Sequence, residues 1–566
     1  MQRKAGATSG QGHLQPSPRR AVLGVTARPA RAAEQEEEVD VIVVGAGFGG
    51  LAAAGLLART GRSVLVCESH SVPGGVAHAF SRQGYEFDSG PSLLSGVSSP
   101  RTPNPLRHVL NALGEDCEWV TYPGWRVVGP DGDFDFEVGD AASWEAVVRR
   151  FGGAGAVAEW RRLLELAVPL GEASKGVPAA ALRGDFGAAA TLGRFLGRLP
   201  PLLLNGLQFQ APFADLMRKA GVRSPFLRRW LDYICFVLQA LPAETHPTAP
   251  VAYMLSDMHA PGAALDYPRG GGMGELVQAL ARGVERHGGR IRYGVHVDGI
   301  ELRWPARGWR APARRWPPPR AGGCGEQRQR VGHRAAAARG PAHGGRAGGC
   351  RGGAVRVLHA PAPRAAGRRG AEGPAPPLQR HPQLGGGDRL GGELRILLVP
   401  IHDSGATGNV VIISVPSVVN PALAPPGRHC VHAYLAATEP FELWEGLRRG
   451  TPEYEALKRD RARPLFEAVE RAIPGATGAI ELELVGSPLT HARFCRRHRG
   501  TYGPLAPSAA GMLPGAKTSI EGLLCCGDST FPGIGVPAAA ASGCAAAAVL
   551  MSVEEHLEVL DAMDIP

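Results

Sequence analysis

Three glycines near the start of the chain stand where a nucleotide phosphate could approach the backbone. Gly45, Gly47 and Gly50 follow the apolar run 39–44, and Glu68 comes eighteen residues after the last of them. The first glycine permits a tight turn, the second lets a pyrophosphate approach, and the third lets a helix pack closely on a strand. Glu68 is spaced to accept hydrogen bonds from ribose hydroxyls. The pattern predicts a dinucleotide-binding unit.

Two strands and a helix must hold these residues in place. The β-branched run 39–44 predicts a buried parallel strand, and the Ala/Leu-rich run 51–59 predicts a helix. Residues 63–67 predict a second strand that ends at the acidic residue. Because all of these elements follow one another in the order that the glycines require, a glycine turn without a ligand is the weaker interpretation.

FAD and NAD both bind to such a unit, so other residues must decide between them. Gly74 and Gly75 predict a second glycine turn, and the apolar run 523–526 predicts a strand that leads into Asp528. The Ala-rich stretch 536–550 predicts a helix. Such an aspartate could hold a ribityl hydroxyl, and the helix dipole could point at an isoalloxazine ring. A core strand with a turn aspartate is the alternative.

No other arrangement predicts a catalytic group. The chain has no Ser/His/Asp set, no paired carboxylates and no HExxH motif, and its ten cysteines lack CxxC spacing, so no metal site is expected. His432, Glu439 and His498 could act as acids or bases, but such residues are more often structural. Tyr502 and Phe531 are candidates for lining a flavin or an apolar substrate tunnel. In flavin enzymes the cofactor itself carries the electrons.

The positive charge of the chain is concentrated in two segments. The 566 residues carry a formal charge of +10. Residues 303–395 contain 19 Arg and 4 acidic residues, and the first 33 residues contain 6 basic residues and no acid. The rest of the chain is acidic, with 37 basic and 48 acidic side chains. A nucleic-acid-binding surface on the folded part is therefore not expected.

Residues 303–395 have an anomalous composition. Arg, Gly, Ala and Pro fill 68 of the 93 positions, and Ser, Thr, Ile, Phe and Tyr are absent. A segment with so little to bury cannot offset its chain entropy, so no packed core is expected there. An arginine-rich nucleic-acid arm and a disordered insertion are two interpretations. We favour a third, translation of a GC-rich gene out of frame, which predicts that a one-base shift restores a strand-like sequence.

The amino terminus and one leucine-rich segment contain signals for the location of the protein in the cell. Residues 1–33 are basic and acid-free and lack the apolar core of a secretory signal, which is typical of an organellar transit peptide or, alternatively, of a disordered tail. No apolar run reaches the roughly 18–20 residues of a membrane-spanning helix. Residues 192–204 mix Leu and Phe with two Arg, as in an interfacial membrane element or a helix packed on the protein's own core.

Five segments in combination resemble the FAD-dependent carotenoid isomerase and phytoene desaturase family, and plant and algal carotenoid-isomerase-like members most closely. The segments are VDVIVVGAGFGGLAAAGLLA at 39–58, PGGVAHAFSRQGYEFDSGPSLL at 73–94, YPRGGGMGELVQAL at 267–280, RFCRRHRGTYGP at 493–504 and CCGDSTFPGIGVPAAAASG at 525–543. The likeness runs from about residue 38 to 302 and from about 396 to the end. The family continues after 302 into another strand, where this chain enters the anomalous segment.

The resemblance implies an α/β fold. An FAD-binding, Rossmann-like domain of the glutathione-reductase or amine-oxidase type would be interleaved with an α+β substrate domain. The FAD-binding parts would be 38–100, 266–302 and 491–552. The substrate parts would be 101–265, mostly helical, and 396–490, and a C-terminal tail would occupy 553–566.

The resemblance also assigns residues to FAD. The pyrophosphate would lie on Gly45, Gly47 and Gly50, the adenosine ribose on Glu68, and the adenine beside Val297. The phosphate and flavin side would be lined by Gly74, Gly75, Asp88 and Gly90, the ribityl chain held by Asp528, and the pyrimidine edge approached by Gly535 and Val536.

The activity that the resemblance implies is cis-to-trans isomerisation of a carotene by reduced flavin. Desaturation or saturation of a similar polyene is the nearest alternative, and a catalytically silent plastid carotenoid-binding protein is an alternative of another class. The expected partners are an apolar isoprenoid substrate and, peripherally, a plastid membrane, with no nucleic acid. The expected location is the chloroplast.

Overall fold

The computed structural model describes residues 38–90, 94–183, 185–239, 241–302, 355–359, 397–400, 410–435, 441–501 and 513–565; for 301–302, 355–359 and 397–400 it describes the backbone alone. The described strands are β1 (Val41–Val44), β2 (Val64–Cys67), β3 (Ala79–Arg82), β4 (Tyr85–Asp88), β5 (Leu94–Ser95), β6 (Trp119–Tyr122), β7 (Gly124–Val127), β8 (Phe134–Glu137), β9 (Leu265–Pro268), β10 (Arg290–Arg292), β11 (Val297–Leu302), β12 (Val355–His359), β13 (Leu397–Pro400), β14 (Val410–Ser414) and β15 (His432–Leu435). The described α-helices are α1 (Phe48–Arg59), α2 (Pro105–Leu113), α3 (Ala141–Lys175), α4 (Ala188–Gly193), α5 (Leu199–Leu204), α6 (Gly206–Gln210), α7 (Phe213–Lys219), α8 (Pro225–Gln239), α9 (Thr248–Met258), α10 (Met273–Arg286), α11 (Pro416–Val419), α12 (Pro452–Ala472), α13 (Pro488–Phe494), α14 (Val536–Leu550) and α15 (Val553–Ala562).

A parallel sheet of order β1-β2-β10 carries the glycine-rich loop. Val41 pairs with Val64, and Ile291 of β10 pairs with Val66. Every residue of β2 is buried, as expected for a strand that is covered on both faces. Helix α1 follows β1 directly and buries residues 48–58 in a core shared with α2, α10 and α14. This strand-turn-helix-strand unit is the one that the glycine spacing predicts.

The C-terminal segment belongs to this core. Helix α14 has the bounds that its composition predicts, and it packs across α1. The residues assigned above to a tail form α15 instead, because Ser552 and Glu555 make a reciprocal capping box. Glu555 also accepts a hydrogen bond from Arg62 at 3.0 Å, which fixes α15 against the end of α1.

The second core lies in the mostly helical region. Helix α3 is interrupted at Gly153, which has non-helical dihedral angles (φ 81°, ψ 175°). Tryptophans from α3 and α8 meet in this core, with 4.5 Å between the ring centroids of Trp144 and Trp230. The strands β7 and β8 and the helix α9 complete it.

Smaller sheets join the two cores. One has the order β5-β9-β6, and another, β13-β14-β15, has its outer face covered by α12. Strand β12 pairs antiparallel with β11, although it lies in the segment 303–395 for which no packed element was expected. Its Val-Arg-Val-Leu sequence has the alternation and β-branching that favour a strand within an otherwise unfavourable composition.

Two predicted elements differ from the structure. Residues 523–526 form no strand, and their only described ladder contact is an isolated bridge between Lys517 and Leu524. Residues 192–204 are divided between the short helices α4 and α5, because Gly193, Gly197 and two prolines interrupt the turn pattern. In the part of the chain that the structure describes, no helix combines the length and apolar character needed to cross a bilayer.

Candidate functional site

The three glycines of the loop 45–50 serve different purposes. Gly45 has a φ of +101°, which only glycine adopts readily. A Cβ atom on Gly50 would stand 2.2 Å from the carbonyl oxygen of Gly45, so this residue allows α1 to approach β1. Gly47 has neither constraint, because its φ is −76° and a Cβ atom there would meet nothing within 4 Å. The space beside Gly47 is a cradle that a side chain would fill.

The first turn of α1 presents main-chain donors to this cradle. Gly47 caps the helix without a side-chain hydrogen bond, and the first turn contains no acidic residue. The first N–H groups of a helix have no acceptor within it, and the helix dipole favours an anion there. The donor set and the open space therefore fit a diphosphate.

Glu68 ties the end of β2 to the loop. One carboxylate oxygen accepts a hydrogen bond from the Ala46 amide, and the other accepts one from the His70 amide, each at 2.7 Å. The side chain is buried. Glu68 thus lies beside the cradle, at the position from which a carboxylate can reach a ribose.

Val297 lies on the same side of the unit as Glu68. It is buried with Leu65 and Cys67 of β2. The amide of Val295 donates to the Glu68 carbonyl at 2.8 Å, which brings β11 to the end of β2. The structure therefore brings together the two residues that the sequence assigned to the adenosine side.

The second glycine turn lies against the first. The Gly74 amide donates to the Ala46 carbonyl at 2.7 Å, and Gly74 forms an isolated parallel bridge with Gly47. Gly74 and Gly75 both have positive φ, at 116° and 61°. Gly90 packs behind this turn, where a Cβ atom would stand 2.8 Å from the Val76 carbonyl oxygen. All three glycines lie close to the cradle.

The described hydrogen bonds of Asp88 connect it to β9 and to α10. Its buried carboxylate accepts a hydrogen bond from the Tyr267 hydroxyl at 2.7 Å and one from the Met273 amide at 3.1 Å. These contacts join β4 to β9 and to the first turn of α10. In the described structure Asp88 anchors the wall of the site from behind.

The C-terminal turn 527–530 closes the site from the other side. A Cβ atom on Gly49 would stand 2.8 Å from the Gly527 amide nitrogen, so this turn lies directly on the first turn of α1. Asp528 accepts a hydrogen bond from Arg497 at 2.8 Å. Gly535, with a φ of +109°, caps α14 without a side-chain hydrogen bond, and Val536 is buried behind it.

A group of aromatic and sulfur-containing side chains near the glycine turns was not singled out from the sequence. The ring centroids of His70 and His78 lie 5.2 Å apart, and those of His70 and Phe494 lie 5.7 Å apart. Burial lowers the pKa of His78 and of His491, and the charge of His78 lowers the latter further. Burial raises the pKa of Cys495 to about 11. Two of the segments quoted above contain members of this group: PGGVAHAF contains His78, and RFCRRHRGTYGP contains Phe494 and Cys495.

The residues predicted to line a flavin or substrate tunnel, and those considered as acids or bases, lie in different parts of the chain. Phe531 is partly exposed, and the neighbouring Gly533 lies close to Leu513 and to the end of α8. His432 lies in β15 with its ring centroid 5.0 Å from that of Tyr434, and His498 lies in a short turn after α13. Tyr502 and Glu439 lie outside the described residues, as do residues 1–37. Within the described ranges, no group of three His, Cys, Asp or Glu is arranged to hold a metal ion.

Comparison with known proteins places the glycine loop in a family. Residues 43–113 match the NAD(P)-binding Rossmann-like domain family. The chain is 28% identical over 577 residues to the chloroplastic prolycopene isomerase of Arabidopsis thaliana, covering 93% of this chain and 85% of that protein. It is 28% identical over 295 residues to the all-trans-retinol 13,14-reductase of Macaca fascicularis, covering 47% of this chain and 43% of that protein.

The solved structures that resemble the chain include an oxidoreductase from Methanosarcina mazei. That likeness has 16% sequence identity and a TM-score of 0.47, and it covers 89% of this chain and 98% of the other.

Proposed function

We propose that this chain is a plastid enzyme that binds FAD and converts a cis carotene to its trans isomer. The proposal is supported by the chain's 28% identity, along 93% of its length, to a prolycopene isomerase. Its relatives along most of that length are named as chloroplastic prolycopene isomerases. Desaturation or saturation of a similar polyene is the nearest rival, and the retinol reductases share about half of the chain.

The contact between Gly49 and Gly527 carries the assignment to FAD. A nicotinamide dinucleotide binds across two βαβαβ halves that together form one continuous parallel sheet. Here a second turn, from the other end of the chain, is placed 2.8 Å from where a Gly49 side chain would begin. That turn bears Asp528, and it leads to the uncapped helix α14. The site thus has two walls, the glycine loop with α1 and the turn 527–530 with α14. This arrangement fits a cofactor that has a nucleotide half and a flavin half.

The residues that would hold FAD fall into two groups. The loop from Gly45 to Gly50 and the amides of α1 would hold the diphosphate, and Glu68 and Val297 would lie beside the adenosine. Asp528, Gly535 and Val536 would hold the ribityl and ring portion. A bound flavin supplies reversible electron transfer, by which a conjugated double bond can lose bond order, rotate and reform without net oxidation.

The remaining chain orients the substrate and excludes water. The apolar core of α3, α8 and α9 would form the substrate side, and Gly533, after the C-terminal turn, lies near Gln239 at the end of α8. The isomerisation removes no atom from the substrate, so a rigid apolar wall is sufficient for this step. No acid or base is required of the protein.

The test of this proposal is to purify the full chain and identify its cofactor. We expect a flavin spectrum and extracted FAD, and in a carotene-producing bacterium we expect cis carotenes to be replaced by trans isomers of the same mass. Gly47→Val fills the cradle and should abolish both, whereas Gly486→Val, at another glycine with open space around its Cβ position, should retain both. Products lighter or heavier by two hydrogens would favour the rival activity, and a purified chain without flavin would favour a silent binding protein.

We further propose peripheral contact with a plastid membrane. Leu203, Leu204 and Leu207 are 75%, 85% and 93% exposed, and Phe186 is fully exposed. Residues 186–214 contain no acidic side chain. A cluster of exposed apolar side chains of this kind is typical of a surface that contacts lipid.

A further inference from the structure

The sheet β13-β14-β15 has one face that is not apolar. Ser414 pairs with His432 and Ile412 pairs with Tyr434 across β14 and β15. Because alternate residues of a strand share a face, these four side chains lie on one side of the sheet. The other side carries the residues that pack on α12, which are Val411, Ile413, Ala433 and Leu435. The polar side therefore faces away from α12.

This polar side is turned toward the helical core. Ile412 packs against the core that contains Trp144 and Trp230. Tyr434 is close enough to Tyr122 of β6 and to Tyr233 of α8 for their ionised forms to repel one another. Four elements, β6, α8, β14 and β15, thus bring polar groups to one place, which we call the polar cluster: Tyr122, Tyr233, Ser414, His432 and Tyr434.

Three buried polar atoms of the cluster have no hydrogen-bond partner in the described part of the chain. They are the Tyr122 hydroxyl, Ser414 Oγ and His432 Nδ1. Leaving such an atom unpaired destabilises the folded state. Most buried polar atoms in proteins are paired, so each exception needs an explanation. Three exceptions on converging elements fit a site at which a bound ligand supplies the missing partners.

The cluster also has accessible space and no charge. Burial lowers the pKa of His432 to about 4 and raises that of Tyr434 to about 12, so both are neutral at pH 7. Nevertheless Tyr233, His432 and Tyr434 retain accessible surface. A ligand can therefore reach these three side chains. Neutral hydroxyl and imidazole groups suit a neutral oxygen, which can both donate and accept.

The cluster is connected to the cofactor side of the molecule. Tyr122 lies close to Tyr267: burial and the charge of Asp88 raise the pKa of Tyr267, and the nearby Tyr122 phenol raises it slightly further. Tyr267 donates to Asp88, which stands behind the second glycine turn. A polyene that reaches from the cofactor into the helical core would therefore bring one end to the cluster.

We propose that the polar cluster binds a hydroxyl or keto oxygen at one end of the isoprenoid, so that the enzyme selects an oxygenated polyene over the hydrocarbon of the same skeleton. This rests on the proposed isomerisation and assigns an oxygenated carotenoid, in place of the carotene itself, as the preferred substrate. A site that is built to pair a substrate oxygen discriminates strongly against the analogue that lacks it, because its own polar groups are then left unpaired.

The experiment compares two pigments on the FAD-loaded full chain: a cis carotene and the cis dihydroxy carotenoid of the same carbon skeleton. Binding is measured first, by quenching of tryptophan fluorescence, and turnover second, by chromatography of the isomers. We expect the dihydroxy pigment to bind at least about tenfold more tightly. Ser414→Ala, His432→Phe and Tyr434→Phe should each reduce that preference, whereas Val431→Ala, at an exposed neighbour, should leave it intact.

Equal binding of the two pigments, or variants that weaken both to the same degree, would overturn the inference and indicate that the cluster holds only water. Failure of the proposed function gives a different result, namely bound pigment with no isomer formed. The binding preference can be read in either case, so the two proposals are tested separately.

Discussion

Gly543 lies against Gly49 so closely that a Cβ atom on Gly543 would stand 2.3 Å from the Gly49 carbonyl oxygen. The two glycines are the crossing point of α14 and α1. This crossing holds the C-terminal turn 527–530 on the first turn of α1, where the cofactor is proposed to bind. The geometry of the site therefore depends on a position that bears no functional group.

Gly543→Ala should destabilise the protein, because the added methyl group has no room. Overpacking of this kind costs about 1–3 kcal/mol. The free energy of unfolding, measured by urea denaturation, should fall by that amount, and retained flavin should fall with it. Gly155→Ala is the matched control within a helix, since a Cβ atom on Gly155 has nothing within 4 Å; it should not reduce stability. An unchanged midpoint for Gly543→Ala would show that α1 and α14 do not cross as described.

Glu68→Gln should weaken FAD binding while leaving the fold intact. The carboxylate accepts from two amides, at 2.7 Å each, and a carboxamide can accept with only one of its two polar atoms. Hydrogen bonds to a charged group contribute about 1.5–3 kcal/mol, so we expect FAD affinity to fall by about 10- to 100-fold. Titration of the apoprotein with FAD measures this. Glu558→Gln, at an exposed glutamate, should bind FAD as the parent chain does.

Tyr267→Phe should lower stability through Asp88. The tyrosine is fully buried, and its hydroxyl donates to the buried carboxylate at 2.7 Å. Loss of this donor should cost about 1–3 kcal/mol. Thermal unfolding checks it, with Tyr293→Phe, at a partly exposed tyrosine, as the control. If the two variants unfold at the same temperature, the Tyr267–Asp88 bond does not stabilise the wall of the site.

Stability should fall in mild acid because of His259. Burial among aromatic rings lowers its pKa from 6.5 to about 4, and its ring centroid lies 5.0 Å from that of Trp160. The folded state favours the neutral ring, so this contribution is fully present above pH 6.5 and is lost as the pH falls toward 4. The largest loss is about 3 kcal/mol. In urea titrations at pH 8, 6 and 4.5, His259→Phe should show a shallower decline than the parent chain; parallel declines would argue against it.

Leu203→Ser with Leu204→Ser should reduce membrane binding. Both side chains are mostly exposed, and burial of one leucine contributes about 1.5–3 kcal/mol when it is complete. Flotation with vesicles that contain anionic lipid should show at least about tenfold less bound double variant. Leu484→Ser, at a less exposed leucine elsewhere, should float like the parent chain. Equal flotation of all three proteins would show that this surface does not bind the membrane.

The cofactor unit was predictable because its signals are local. The turn at Gly45, the close packing at Gly50 and the Ala-rich composition of α14 each determine nearby backbone, and the structure has these elements where the sequence places them. The hydrogen bond of Asp88 and the docking of α15 could not be predicted, because their partners, Tyr267 and Arg62, lie far along the chain. The capping box of Ser552 and Glu555 is a local signal that the sequence does contain.

The polar cluster could not have been found from sequence. Ser414 and His432 are eighteen residues apart in different strands, and Tyr122 and Tyr233 come from other layers. Nothing in the spacing of these residues relates them, since only the register of β14 with β15 and the packing of α8 bring them together. His432 was considered as an acid or base, but its burial and its pairing with Ser414 became evident only in the fold.

The crossing of α1 and α14 also sets an order of events during synthesis. Ribosomes add about 5–20 residues per second, so Gly49 emerges some tens of seconds before Gly543 is made. Throughout that interval the nucleotide half of the site exists without its other wall. Under the proposed function, flavin capture would therefore be a late step that follows completion of α14, and a polypeptide that stops short of α14 would lack the crossing that holds the second wall in place.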